Sequence, residues 1–256
     1  ALPRHGRPAL PPSPSAMNAP DAFVFAPPAQ PSLFVHGAAG RFPVRRVLCV
    51  GRNYAAHRRE MGADDREAPC FFAKPADAVV PGDATGDAGL VPYPQATSML
   101  HHEVELVVAL GAGGANVPVE RALDLVYGYA VGVDLTRRDI QNDLKARRHP
   151  WEAAKSFDRS APVSGVWPAP HGVVPSGRLW LKVNELDRQS APTDDMLWSV
   201  AETLSAASRL WHLAPGDLIF TGTPEGVGPL NVGDRVDCGL DGLGTLTFTV
   251  GPCPRG

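Results

Sequence analysis

Two glutamates alternate within the short run His101-His102-Glu103-Val104-Glu105-Leu106-Val107-Val108. In a strand, residues i and i+2 project from one face, so Glu103 and Glu105 stand side by side. Val104 and Leu106 to Val108 are apolar and belong in a core. Two adjacent carboxylates repel each other, and burying them unpaired is costly. A hard divalent cation resolves the conflict, and oxygen donors alone suit Mg²⁺, Mn²⁺ or Ca²⁺. The bland alternative is a solvated strand face with two exposed glutamates. Asp134 closes a second apolar run, Val126 to Val133. It adds a third oxygen donor, which would leave positions around one cation for water or a chelating substrate. Capping of the helix that follows is the competing role for Asp134.

Further polar residues sit in equally suggestive places. His57 and Glu60, three apart in Gly51-Arg52-Asn53-Tyr54-Ala55-Ala56-His57-Arg58-Arg59-Glu60, are neighbours on one face if the segment is helical. A carboxylate beside an imidazole orients it and raises its basicity, which suits a general base near neutral pH. An exposed ion pair is the alternative. Lys74 and Lys155 lie in apolar or turn contexts where an ammonium could face a substrate carboxylate or a developing enolate. Gly222-Thr223-Pro224-Glu225-Gly226 follows a strand and could offer backbone N–H groups or the Thr223 hydroxyl to an anion. It lacks the Gly-Lys-Ser/Thr of a phosphate loop and opens no helix, so it is no nucleotide fingerprint.

The elements that must hold these residues are mostly strands. Strand patterns cover Leu33 to Val35, Val44 to Val50, Phe71 to Lys74, Val104 to Leu110, Val126 to Val133, Leu179 to Val183, Leu218 to Thr221, Arg235 to Cys238 and Thr245 to Val250. Helical patterns cover Asn53 to Met61, Val119 to Leu125, Thr136 to Arg148 with Thr136 as cap, and Ser199 to Leu210; Glu185 to Arg188 reads as a turn. Strands outnumber helices without alternating regularly with them, which argues against a doubly wound parallel sheet and predicts an α+β fold with a large β core.

Composition narrows the function classes. The chain has 256 residues, 44% hydrophobic and 20% charged, with a formal net charge of −3. That is ordinary globular composition, and it argues against a nucleic-acid partner. No apolar stretch approaches the ~20 residues that span a bilayer, so no membrane partner is expected. Four scattered cysteines read as free thiols in a reducing compartment, and the expected location is cytoplasmic. Residues 1–20 are Pro-rich and aperiodic and read as a disordered arm or a segment foreign to the native protein, with Met17 as the expected start. Residues 21–40 read as an N-terminal extension and 41–256 as the catalytic domain.

Six segments in order resemble the fumarylacetoacetate hydrolase family. They are VGRNYAAH…E (Val50 to Glu60), FFAKPADAVV (Phe71 to Val80), HHEVELVVALG (His101 to Gly111), GYAVGVDLTRRDIQ (Gly128 to Gln141), WEAAKSFDRSAP (Trp151 to Pro162) and LIFTGTPEGVGPL (Leu218 to Leu230). The resemblance is greatest to the small bacterial fumarylpyruvate hydrolases and acylpyruvases. It implies a mixed β-sandwich or roll, a homodimer, and Mg²⁺ or Mn²⁺ held by Glu103, Glu105 and Asp134. It implies a His57–Glu60 dyad with Lys155 as the catalytic set, and substrate contacts from Arg52, Lys74, Arg138, Gln141 and Thr223. One departure is Val183-Asn184-Glu185-Leu186, where many members carry Gly between Asn and Glu.

The implied substrate is a small 2,4-dioxo acid, foremost fumarylpyruvate cleaved to fumarate and pyruvate in aromatic catabolism. General acylpyruvase, oxaloacetate decarboxylase and 2-hydroxyhepta-2,4-diene-1,7-dioate isomerase activities are the catalytic alternatives, and a non-catalytic cation-binding protein is the remote one. A second substrate carboxylate would need a cationic pocket, for which Arg58, Arg59, Arg147, Arg148 and His149 are the sequence candidates.

Overall fold

A computed structural model describes residues 23–54 and 68–254. The largest sheet runs β4 (Cys70–Lys74), β3 (Arg46–Gly51), β15 (Asp217–Phe220), β8 (Val104–Leu110), β9 (Val126–Val133), β11 (Ala161–Val163), β5 (Val79–Pro81), with β12 (Trp167–Pro168) also on β9. A five-stranded sheet runs β14 (Leu186–Pro192), β13 (Arg178–Val183), β17 (Arg235–Leu240), β18 (Gly244–Gly251), β6 (Asp87–Pro92). A small sheet joins β10 (Thr136–Arg137), β7 (Leu100–His102) and β16 (Gly228–Leu230), and β1 (Ser32–Leu33) pairs with β2 (Phe42–Pro43). Parallel pairs (β3–β15, β5–β11, β6–β18) mix with antiparallel ones. The architecture is α+β, as the element pattern predicts.

β8 is buried along its whole length because both its faces are covered. Leu106, Val108 and Leu110 join a core with Leu179, Leu181, Val236, Leu246 and Phe248 of the five-stranded sheet. Val107 and Ala109 point the other way, into a second cluster with Val47, Cys49, Leu218 and Phe220. This double burial explains why the run is apolar at nearly every position rather than alternating. Gly132 on β9 lies opposite Glu105, and a Cβ there would come within 2.7 Å of Val107 and 2.8 Å of Phe220.

Several sequence expectations change in the fold. The helix expected from Thr136 begins at Arg138 and runs to Ala146. Thr136 and Arg137 instead pair with His101 and Leu100. The Thr136 hydroxyl caps nothing, because it donates to Asp134 O and accepts from Lys155 Nζ. The turn expected over Glu185 to Arg188 is only Asn184-Glu185, both at positive φ (50° and 67°), and β14 starts at Leu186. Glycine suits such a hairpin, so Glu185 holds a left-handed backbone at a cost of about 1–2 kcal/mol. Of the expected Asn53 to Met61 helix, Asn53 is buried and donates to Trp198 O and Thr221 O, Tyr54 forms a bridge to Met196, and residues 55–61 lie outside the described residues.

The body also reaches upstream of residue 41: Leu33 and Val35 are buried, Val44 N bonds Pro31 O, and Val35 bridges Val166. Ser199 starts the Val200–Leu210 helix with a reciprocal capping box to Glu202. Among the described residues no helix is long and apolar enough to cross a membrane. All four cysteines are free, Cys49 and Cys238 buried, Cys70 and Cys253 exposed.

Candidate metal and active site

The face of β8 that carries Val107 and Ala109 continues to Glu105 and, just before the strand, Glu103. The ladder to β9 pairs Val104 with Val133, and its continuation bonds Asp134 N to Glu103 O at 2.8 Å. That register brings Asp134 beside the two glutamates. One carboxylate oxygen from each of Glu103, Glu105 and Asp134 lies within 4.8 Å of the others, and all three residues are buried.

The three carboxylates are unequally neutralised. Glu103 is held by Arg138 Nη2 and by Lys155 Nζ at 2.7 Å. Lys155 Nζ also donates to Asp134 Oδ2 at 2.6 Å and Thr136 Oγ1 at 2.7 Å. Lys74 Nζ lies 2.9 Å from Asp134 Oδ1, near enough to pair but not aligned as a hydrogen bond, so that oxygen keeps an unsatisfied lone pair. Glu105 accepts one hydrogen bond, from Gly222 N at 2.6 Å, and has no ion-pair partner among the described residues. Burial, then the charges of Asp134 and Glu103, push its carboxyl well above the usual range. Burial works against the Lys155 charge, but Asp134 and Glu103 outweigh it and raise its proton affinity.

These observations fit a cation. Among the described residues, this buried, all-oxygen set has one carboxylate with no ion-pair partner and one carboxylate oxygen with no hydrogen bond, and both can serve as ligand atoms. Glu103, Glu105 and Asp134 would hold a hard divalent ion.

The triad lies in a cleft lined also by Val50, Gly51, Arg52, Phe72, Arg138, Gln141, Trp151, Lys155 and Thr223. Arg138 and Gln141 are i,i+3 on their helix and bond to each other, so the helix presents one polar face to the triad. Arg138 Nε also donates to His101 Nδ1 at 3.3 Å. Burial, with Arg138 and His102 beside it, pushes His101 down to about 4 and keeps it neutral. Arg52 sits at φ 63° with its guanidinium 5.5 Å from the Trp151 ring centre.

Two expected contacts stand differently. Lys74, expected to touch substrate, is not on the cleft wall. It is packed behind Asp134, with its ammonium on the carbonyls of Leu135 and Lys155. Thr223 is on the wall, but its hydroxyl already donates to Val104 O at 2.8 Å and accepts from Gln189 Nε2 at 2.8 Å. Arg147 and His149 are exposed and off the cleft wall; so is Arg148. His57, Glu60, Arg58 and Arg59 lie outside the described residues. Sequence reasoning missed Trp151, Phe72 and Gln189. The first two sit inside recognisable motifs, whereas Gln189 lies in a polar edge strand with no distinguishing pattern.

The chain is similar to known proteins in sequence and in fold. The family described as "Fumarylacetoacetate (FAA) hydrolase C-terminal" matches residues 46–251. A fumarylpyruvate hydrolase from Pseudomonas aeruginosa, solved with Mn²⁺ and pyruvate, is similar at 50% identity and a TM-score of 0.85, over 90% of this chain and 100% of that one. A putative fumarylpyruvate hydrolase from Burkholderia cenocepacia is similar at 49% identity and a TM-score of 0.83, over 91% and 100%. The mitochondrial oxaloacetate tautomerase FAHD1 of Mus musculus is 42% identical over 211 residues, 80% of this chain and 91% of that protein.

Proposed function

The chain belongs to the fumarylacetoacetate hydrolase family, and from that premise we propose that it cleaves the C3–C4 bond of a 2,4-dioxo acid, fumarylpyruvate foremost, with Mg²⁺ or Mn²⁺ bound. The observation that carries the reading is the convergence of Glu103, Glu105 and Asp134 in a cleft, with Glu105 left uncompensated. The P. aeruginosa relative with Mn²⁺ and pyruvate supports it from outside the chain.

When bound, the cation supplies Lewis-acid polarisation of the substrate's 2-oxo group. The chain's own residues do the rest. His57, oriented by Glu60, takes a proton from water, and the hydroxide adds to the C4 carbonyl. Collapse of the tetrahedral adduct breaks C3–C4 and sends the electron pair to C3 as pyruvate enolate. Lys155, already fixed on Glu103 and Asp134, places a fixed positive charge beside the enolate as it forms. The proton held by His57 returns to C3, releasing pyruvate and the second acid. Arg138 and Gln141 offer N–H donors on the cleft wall, and Lys74 steadies Asp134 from behind.

Fumarylpyruvate, unlike acetylpyruvate, carries a second carboxylate. Arg52 lines the cleft with its Nε buried and, among the described residues, without an acceptor. Its guanidinium offers a cation to a second substrate carboxylate.

The test is steady-state hydrolysis of fumarylpyruvate and acetylpyruvate with Mg²⁺, Mn²⁺ or EDTA. Charge-assisted recognition predicts a kcat/KM roughly ten- to hundredfold higher for fumarylpyruvate, lost in EDTA. Equal turnover of acetylpyruvate would make it a general acylpyruvase. The 42% identity to oxaloacetate tautomerase favours a second reading, in which His57 moves a proton between carbon and oxygen of oxaloacetate without hydrolysis. Enol–keto conversion of oxaloacetate with neither acylpyruvate cleaved would establish it. Oxaloacetate decarboxylation or dienoate isomerisation alone would replace both, and cation binding without turnover would leave a binding protein. A cytoplasmic homodimer completes the proposal; light scattering and cell fractionation test it.

A further inference from the structure

The peptide between the two triad glutamates has a support that no sequence pattern announces. β8 meets β15 only from Val107 to Ala109, so the β15-facing edge around Val104 lacks a strand partner among the described residues. A side chain takes its place. Gln189, on β14 and 1% exposed, accepts from Val104 N at 3.1 Å through Oε1. Its Nε2 donates to Thr223 Oγ1 at 2.8 Å, and Thr223 Oγ1 donates to Val104 O at 2.8 Å. Both backbone groups of Val104 therefore close one hydrogen-bonded ring through Gln189 and Thr223.

The orientation of the Gln189 amide is fixed by chemistry. Val104 N–H can only donate and Pro224 O, 2.9 Å from Nε2, can only accept. The remaining contact, His102 Nδ1 to Oε1 at 2.9 Å, then requires the proton on His102 Nδ1. All of the amide's hydrogen-bonding positions are used.

We propose that Gln189 is a positioning residue that sets the spacing and direction of the Glu103 and Glu105 carboxylates by clamping the Val104 peptide between them to the Gly222–Glu225 loop. The same loop supplies the Gly222 N–H that holds Glu105, so one side chain fixes both the strand and the donor that faces it. The proposal rests on the metal reading of the triad, and its readouts do not depend on which substrate is turned over. Groups that orient metal ligands are typically worth 10–100-fold in metal affinity.

The experiment is Mn²⁺ binding by calorimetry and electron paramagnetic resonance to the full chain and to Gln189→Met and Gln189→Glu, with folding checked by circular dichroism. Gln189→Met keeps the volume and loses every hydrogen bond. Gln189→Glu keeps acceptors for Val104 and His102 but loses the donor to Thr223. A folded Gln189→Met that binds Mn²⁺ ten- to hundredfold more weakly with an altered spectrum, and Gln189→Glu with an altered spectrum of its own, support the clamp. Folded variants with unchanged affinity and spectrum overturn it. Should Gln189→Met not fold, the unsubstituted protein still decides: a ¹⁵N spectrum showing His102 protonated on Nδ1 is expected, and protonation on Nε2 overturns the network. Wild-type protein that binds no Mn²⁺ would instead sink the metal reading.

Discussion

One face of β8 has two unlike ends. At one end Val107 and Ala109 meet Val47, Leu218 and Phe220 in a purely apolar cluster. At the other, Glu103 and Glu105 meet Asp134, and Lys74, Lys155 and Arg138 converge on them. Both ends are buried, but their stability has different origins. The apolar end is stabilised by area removed from water and does not depend on direction. The charged end depends on specific partners arriving from β4, the 138–146 helix and the short 152–155 helix, because a buried charge without its partner costs several kcal/mol. The lesson is that the apolar end follows from a strand pattern, whereas the charged end exists only once distant elements are assembled.

Glu105→Gln gives the largest expected separation of the two ends. It removes a cation ligand and the uncompensated charge together. Mn²⁺ affinity is expected to fall by more than the roughly 100-fold typical of outer supports, while the metal-free protein melts no lower than wild type. A metal-free Glu105→Gln much less stable than wild type would show that Glu105 serves the fold rather than a cation. Lys155→Met removes the cation that Glu103 and Asp134 share, and its expected cost is about 3–5 kcal/mol of stability by urea titration; a neutral result would mean that Lys74 and Arg138 suffice.

Val107→Ala probes the apolar end. It should cost about 1–3 kcal/mol through lost burial and a cavity, with Mn²⁺ affinity nearly unchanged. A large drop in affinity would join the two ends that the comparison separates. The smallest effect is pH. Glu105 in the metal-free fold binds its proton more tightly than in the unfolded chain. Its contribution to stability is therefore present below the ordinary carboxylate range and lost as pH rises through the raised value. Metal uptake expels that proton, so affinity should rise with pH over the same window. Calorimetry in buffers of different ionisation enthalpy would count the proton, and an uptake without release would contradict the assignment.

Much of the chain was legible from local pattern. β8 and β9 have the bounds expected from their apolar runs, and the helix expected over Ser199 to Leu210 is present as Val200–Leu210. Thr136 misled because a Thr before a helical repeat looks like a cap until Lys155 claims its hydroxyl. Lys74 looked like a substrate contact because sequence gives residue type but not the side of Asp134 from which an ammonium approaches.

The sequence by itself determined the residue types, the i,i+2 placement of Glu103 and Glu105, and the α+β class, since all three depend on near neighbours in the chain. Only the tertiary structure decided that Asp134 completes the triad, that Lys155 and Arg138 neutralise two of its carboxylates while Glu105 is left short of charge, and that Gln189 closes the ring around Val104. Those outcomes depend on register between strands and on partners 21 to 119 residues apart. Hydrogen bonds and ion pairs of that span leave no periodicity to read, because their geometry is fixed by packing rather than by spacing along the chain.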